Sequence, residues 1–182
     1  MVRPRTIDRE RLLDIAEDLI SDAGAAAISF GGLAEAAGLP KSSVQSIFHT
    51  REAMIEALLE RWLRKEKSLF ERGLPAAPSL RERVLGHIDI TVNEPAETRS
   101  RLAAVLAALV GSDATDGVMA RWYASRIGDF SAHTPQARRL RIAFLAVEGM
   151  FFMRDIAGFP MSDPLWQEIF EDLRAFADAQ AA

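Results

Sequence analysis

The sequence predicts an all-α fold of about nine helices, a small three-helix helix-turn-helix head followed by a helical-bundle body. Three observations carry this. Apolar residues recur at helical spacing almost throughout, and no stretch shows strand-like alternation. Helix starts and stops recur along the chain as Ser/Thr caps, Pro at first turns and Gly at ends. The segment Ser29 to Phe48, SFGGLAEAAGLPKSSVQSIF, reads as two short helices joined by a tight turn.

Met1 to Arg5 is a short basic arm carrying Arg3 and Arg5. Such an arm can reach phosphates or a minor groove, or can fray into solvent. Thr6 or Asp8 can cap the first helix, with Leu12, Ile15, Ala16, Leu19 and Ile20 as its inner stripe and Gly24 at its end. Ala25 to Ile28 links it to the second helix. Ser29 is the natural N-cap there, and its hydroxyl beside free backbone N–H groups also suits a phosphate.

Leu33, Ala34 and Ala37 line the second helix, which Gly38 ends through a left-handed conformation that costs glycine little. Leu39 plugs the turn. Val44, Ile47 and Phe48 are the inner side of the third helix, and Lys41, Ser42, Ser43, Gln45, Ser46 and then His49 are its outer side. A helix that is apolar inside and short and polar outside can lie in a major groove. The fourth helix opens at Thr50 and runs to about Arg72, before Gly73 and Pro75. Ala53, Met54, Ala57, Leu58, Trp62, Leu63 and Phe70 give its apolar side. Its charged side, including Arg61 and Glu66, reads as solvated with no site implied.

Ser79-x-x-Glu82 is a capping box that starts a fifth helix with Val84, Leu85, Ile88 and Val92. Pro95 starts a sixth, carrying Leu102, Val105, Leu106 and Leu109, and Gly111 ends it. Asp113 can cap a seventh with Met119, Trp122, Tyr123, Ile127 and Phe130. Thr134-Pro135 starts the eighth, and Ser162-Asp163-Pro164 the ninth. From Leu140 to Ile156 the eighth is apolar on nearly every side and so needs cover on every side. With the ninth helix it predicts a two-fold interface between identical chains through Leu145, Phe151, Phe152, Leu165, Trp166, Ile169, Leu173 and Phe176. An ordinary buried helix of a monomer is the alternative.

Composition bounds the function. The 182 residues suit a head plus a body, and the hydrophobic share of 49% is too high for disorder. There is no cysteine, which removes disulfides and thiolate metal sites and fits a cytoplasmic protein. No apolar run reaches bilayer length and no signal peptide opens the chain, so no membrane association is expected. His49, His87 and His133 lie in no metal-ligand spacing. HExxH, a Gly-rich phosphate loop and G-x-S-x-G are all missing, so no catalytic residue, metal or cofactor is expected. The net charge of −4 counts against tight nonspecific DNA binding, and acids outnumber bases even in the first fifty residues.

Residues 8 to 63 resemble the DNA-binding head of the TetR (TetR/AcrR) family of bacterial one-component regulators. The matching residues are Gly24, Ile28-Ser29, Leu33-Ala34-Glu35-Ala36-Ala37-Gly38-Leu39-Pro40, Ser42-Ser43-Val44-Gln45-Ser46-Ile47-Phe48 and Arg51-Glu52-Ala53-Met54. Four features depart from the family pattern. Gln45 replaces the usual Tyr, Ile47 the usual His or Tyr, and Pro40 a capping Ser. Gly31-Gly32 loosens the second helix, at roughly 1 kcal/mol for each glycine against alanine.

The resemblance implies a homodimeric repressor that reads a palindromic double-stranded DNA operator and is released by a small-molecule effector of apolar or aromatic character. It implies a DNA-binding domain over 1–50 and a ligand-binding and dimerisation domain over 51–182. Arg3, Arg5, Ser29, Lys41, Ser42, Ser43, Gln45, Ser46, His49, Thr50 and Arg51 are the groups able to face DNA. His49 reads equally as a surface histidine packed on Phe48. The ligand would be lined by Phe70, Ile88, Leu106, Met119, Trp122, Tyr123, Phe144, Glu148 and Phe152, each of which reads singly as core. Glu148 lies inside the apolar run LAVEGMFF, where an unpaired carboxylate would be costly: it could hold a cationic ligand group, face water at the dimer edge, or pair with an arginine such as Arg126 or Arg154, and pairing is the preferred expectation. The alternative to a regulator is a ligand-binding or scaffold all-α protein whose head no longer binds DNA.

Overall fold

A computed structural model of the protein describes residues 8–23, 27–109, 114–128, 131 and 133–179. Among them lie nine α-helices, one π-helical turn and no strand. The expectations for Arg3, Arg5, Thr6, Gly24, Gly111, Asp113 and Phe130 lie outside the described residues. By its contacts the chain divides into two units, Met1–Trp62 with Arg101–Val118, and Leu63–Ser100 with Met119–Ala182.

In the first unit, α1 (Arg9–Ala23) packs on α2 (Phe30–Ala37), which packs on α3 (Lys41–Phe48). Leu12, Leu13, Ala16, Ile20, Ile28, Leu33, Val44 and Phe48 are buried at their centre. Ser29 caps α2 by accepting from the Gly32 backbone N–H at 3.0 Å. Gly38 ends α2 at φ 64 and ψ 38, and the N–H of Leu39 donates to the Ala34 carbonyl at 2.9 Å. Pro40 supplies the N-cap position of α3 without a side-chain bond, its φ of −62 suiting a helix start.

Gly32 is a requirement of this packing, where the sequence reading took it as a loosening. A Cβ on it would stand 2.8 Å from the Ala27 carbonyl oxygen, so any larger residue would push α2 off the link before it.

α4 (Arg51–Arg72) starts at Thr50, whose hydroxyl accepts from the Ala53 N–H. Its charged side corrects the expectation of a solvated face. The Arg61 side chain is only 14% exposed and reaches three residues of α1. Nη1 lies 3.6 Å from a Glu10 carboxylate oxygen, Nη2 contacts Asp14, and Nε lies 3.1 Å from Glu17. Nη1 also donates to the Glu10 carbonyl at 3.1 Å. Burial pulls the guanidinium down, but the hydrogen bond it donates to Asp14 and the fields of Glu17, Asp14 and Glu10 outweigh it and raise it above its ordinary value. Removing one partner of such a network strands the others. Arg61→Ala is therefore expected to cost about 2–3 kcal/mol of stability, while Arg61→Lys, without the planar fork, recovers only part of it. Urea unfolding followed by circular dichroism measures this, and a loss below about 0.5 kcal/mol, the range of ordinary surface changes, contradicts it.

In the second unit, α5 (Leu80–Asn93), α8 (Pro135–Phe151) and α9 (Asp163–Asp178) pack on one another. Val84, Ile88, Ile127, Leu140, Ala143, Phe144, Val147, Trp166 and Phe170 form the shared core. The Ser79–Glu82 capping box forms in both directions. Thr134 and Ser162 cap α8 and α9, each with Pro in the first turn. α4, α6 (Ala96–Leu109) and α7 (Ala114–Ile127) each cross the division between the units.

The eighth helix does not run α-helically to Ile156 as expected. After Phe151 it widens into a π turn over Phe152–Ile156. Asp155 on that turn pairs with Arg99 Nε at 3.1 Å, both side chains being 8% exposed.

Candidate nucleic-acid interface and ligand site

The outer side of α3 is set by its inner side. Val44 and Phe48 are buried and Ile47 half-buried, which leaves Lys41, Ser42, Gln45 and Ser46 exposed and Ser43 half-buried. The Arg9 guanidinium lies over the Phe48 ring at 5.6 Å. Ser46 donates its hydroxyl to the Ser43 carbonyl at 2.8 Å, so towards a ligand it presents lone pairs. Ser29 likewise spends acceptor capacity on Gly32 and keeps its O–H to donate.

His49 is exposed at φ 63 and ψ −55, a positive φ for a non-glycine residue, and its N–H donates to the Gln45 carbonyl. It marks the corner between α3 and α4. Thr50 is exposed beside it. Arg51 differs from the others, because its Nε donates to the Ile28 carbonyl at 2.9 Å and so ties the start of α4 to the link before α2. Several acids that weigh against DNA binding in the sequence total, Glu10, Asp14 and Glu17, are those matched by Arg61.

In the second unit the candidate ligand residues separate. Phe70, Trp122, Tyr123, Phe144 and Glu148 come together in one aromatic and charged cluster. Ile88 lies in the adjoining core, and Met119 is half-buried. Leu106 belongs to the other unit, and Phe152 is 56% exposed on the π turn.

Glu148 is paired, but with neither arginine. His87 Nε2 and Tyr123 Oη lie 2.8 Å from its two carboxylate oxygens. Arg154 instead pairs with Asp163, and Arg126 with Glu66. The reason is position: α5 packs on α8 and brings His87 to Glu148. Burial, the Glu148 field and the hydrogen bond to Glu148 together push the Tyr123 phenol up, so it stays a donor. His87 also stacks on Phe144 with ring centroids 4.5 Å apart, and meets Trp122 edge-on at 5.9 Å.

Glu66, assigned by its sequence to a solvated face, accepts from Trp122 Nε1 at 3.0 Å and contacts Arg126 Nη2. Arg126 is 2% exposed and lies 3.7 Å over the Phe70 ring and 5.0 Å from that of Trp122. Its Nε and Nη1 find no hydrogen-bond partner. Burial draws the guanidinium down to about 9, against the opposing pull of Glu148. Buried donors left unmade cost about 1–3 kcal/mol, so this arginine is held expensively. Sequence reasoning missed His87 and Glu66 as members of the site. The one available signal was a histidine and a carboxylate within otherwise amphipathic helices. Among the described residues no group of three or more His, Cys, Asp or Glu is placed to hold a metal, and no helix is long and apolar enough to cross a membrane.

The large apolar side chains of α8, the π turn and α9 that are exposed are Ile142, Leu145, Phe152, Met153, Leu165 and Phe176. Ile169 and Leu173 are half-buried, as is Phe151. Trp166, expected at an outward face, is buried in its own chain with the Arg99 and Arg154 guanidinium groups 5.0 and 4.9 Å from its ring, and has no surface left to give a partner.

Comparison with known proteins agrees with this architecture. The profile of the tetracyclin repressor-like C-terminal domain matches residues 81–178. A transcriptional regulator from Rhodococcus sp. Rha1 superposes with a TM-score of 0.71 at 19% identity, over 93% of this chain and 95% of that one. The multidrug binding protein EbrR, solved with ethidium, gives 0.61 at 18% identity over 91% and 97%. Salmonella enterica GusR gives 0.59 at 14% identity over 98% and 99%. At these identities the solved structures speak for the fold. No curated protein matches in sequence. The profile covers more than half of the chain, ending in the helices α8 and α9, and with the helix-turn-helix at the other end it makes this chain a member of the TetR family of transcriptional regulators.

Proposed function

We propose that the protein is a one-component repressor. Residues 1–50 read a palindromic operator as one half of a homodimer, and residues 51–182 carry the effector site and the dimer contact. The observation that carries this is the exposed polar row Lys41, Ser42, Gln45 and Ser46 on a helix whose other side, Val44 and Phe48, is fixed in the core. Lys41 at the first position of α3 meets a phosphate beside the helix N-terminus, and Ser29 at the N-cap of α2 donates to another. Gln45 sits one turn further along α3, where a bidentate contact to adenine N6 and N7 is worth about 1–3 kcal/mol of discrimination. His49 and Thr50 line the corner, with Arg3 and Arg5 preceding α1. Outward Leu145, Phe152, Leu165 and Phe176 supply the contact between protomers, and an effector that favours the other conformation of the body releases the DNA.

Selection of bound DNA from a random pool tests the reading. An inverted repeat should be enriched, and its affinity should fall steeply with salt. Lys41→Ala should weaken all sequences alike and reduce the magnitude of the salt slope by about 1 per head. Gln45→Ala should relax preference at one position in each half-site. No enrichment of any sequence, or binding that ignores salt, removes the DNA-binding conclusion.

A further inference from the structure

The charged cluster of the second unit already contains a cation, and the cluster serves its walls better than its occupant. Both carboxylates are fully equipped. Glu66 accepts from Trp122 Nε1, while Glu148 accepts from Tyr123 Oη and faces His87 Nε2. The Arg126 guanidinium lies over the Phe70 ring and near Trp122, yet two of its nitrogens have no partner, and burial depresses its basicity. Among the described residues the other buried arginine is Arg99, and its Nε and Nη1 meet Asp155 and the Glu94 carbonyl.

Charge decides what such a site can accept. Two carboxylates, Glu66 and Glu148, stand around one guanidinium, so the acids of the cluster outnumber its arginine. An incoming anion placed on the unused donors of Arg126 would add a third negative charge among half-buried groups, where repulsion is poorly screened. Exchanging one delocalised cation for another leaves the sum unchanged and keeps the aromatic stacking. The ligand brings what Arg126 lacks, an apolar body to fill the space the side chain leaves.

Resting on the reading of this unit as the effector-binding body, we propose that Arg126 is a built-in stand-in for the ligand. The site formed by Glu66, Phe70, Trp122 and Glu148 receives a flat aromatic cation that evicts the Arg126 guanidinium. Arg126 belongs to the last turn of α7, whereas Glu66 and Phe70 belong to α4. The exchange therefore cuts the ion pair and the stacking that join those two helices.

Titration calorimetry on the full-length protein without DNA tests this, using phenylguanidinium as the cation and benzoate as an anion of similar size. Wild type should bind phenylguanidinium, and Arg126→Ala should bind it at least about tenfold more tightly, because the competing group is gone. Arg126→Met, which keeps most of the side-chain bulk, should also gain affinity. Glu148→Gln should lose about tenfold or more. If Arg126→Ala folds poorly, phenylguanidinium should raise its melting temperature more than that of wild type.

Cation affinity unchanged or lowered in both Arg126 variants overturns the exchange. Benzoate binding by wild type that disappears in Arg126→Ala also overturns it, since Arg126 is then an anion anchor. Operator binding is measured separately with no probe present. Normal operator binding without any phenylguanidinium binding defeats the stand-in and leaves the regulator intact, whereas phenylguanidinium binding without operator binding defeats the regulator and leaves the stand-in.

Discussion

Trp166→Ala is expected to destabilise the second unit by about 3–5 kcal/mol, the range for removing a large aromatic from a closed core. Trp166 is 2% exposed and packs against Phe170, with the ring centroids 4.4 Å apart and the planes tilted by 37°. It also holds two guanidinium groups, Arg99 and Arg154, against its ring. The alanine variant therefore leaves a void and takes one support from the buried Arg99–Asp155 pair. Trp166→Phe keeps most of the volume and an aromatic face, and is expected to lose less than half as much. Urea denaturation monitored by circular dichroism separates the two, and an alanine variant within 1 kcal/mol of wild type would show that the site collapses without cost.

If the chain dimerises as proposed, joint replacement of Leu145 and Phe152 by Glu is expected to leave a monomer and to lower affinity for an inverted repeat by about 100-fold or more, because the second head is then no longer held at high effective concentration. Leu145 is 52% and Phe152 56% exposed, two helical turns apart in sequence, with Ile142 one turn before. Neither residue is a buried core residue, so the substitutions should cost little folding stability. They place charges where an apolar contact needs none. Light scattering gives the mass, and fluorescence anisotropy on an inverted repeat and on its half-site gives the affinities. A variant that stays dimeric, or a monomer that binds the full repeat as wild type does, contradicts the account of these two helices.

What the sequence conveyed best was local. Ser29, Thr50, Ser79, Thr134 and Ser162 each cap the helix they precede, and Gly38 takes the left-handed turn its position calls for. A cap involves neighbours three residues apart, so spacing alone exposes it. The spacing of Val44 and Phe48 likewise orients α3, and with it Lys41 and Gln45.

Pairings across helices were not legible. His87 with Glu148 and Glu66 with Arg126 join residues about sixty positions apart. The charge pattern on one helix cannot say which neighbour reaches it, so Arg61 and Glu66 both read as solvated. Gly32 misled for a related reason. A helix-propensity argument weighs only its own helix, whereas the space a Cβ would need is taken by Ala27 on the preceding segment. Trp166 was misplaced because α9 is apolar over a broad arc, and only its packing with α5 and α8 decides which part of that arc turns inward.

The widened turn at Phe152–Ile156 has a further consequence. A π turn fits an extra residue into the winding of a helix, and each residue of an α-helix advances the side-chain direction by about 100°. Asp155 meets Arg99 with that additional residue counted in. A chain one residue shorter here would wind on in ordinary phase and point the carboxylate elsewhere, stranding a guanidinium inside. Deleting one residue from Phe152–Arg154 is therefore expected to break the Arg99–Asp155 pair while leaving the helix before it intact.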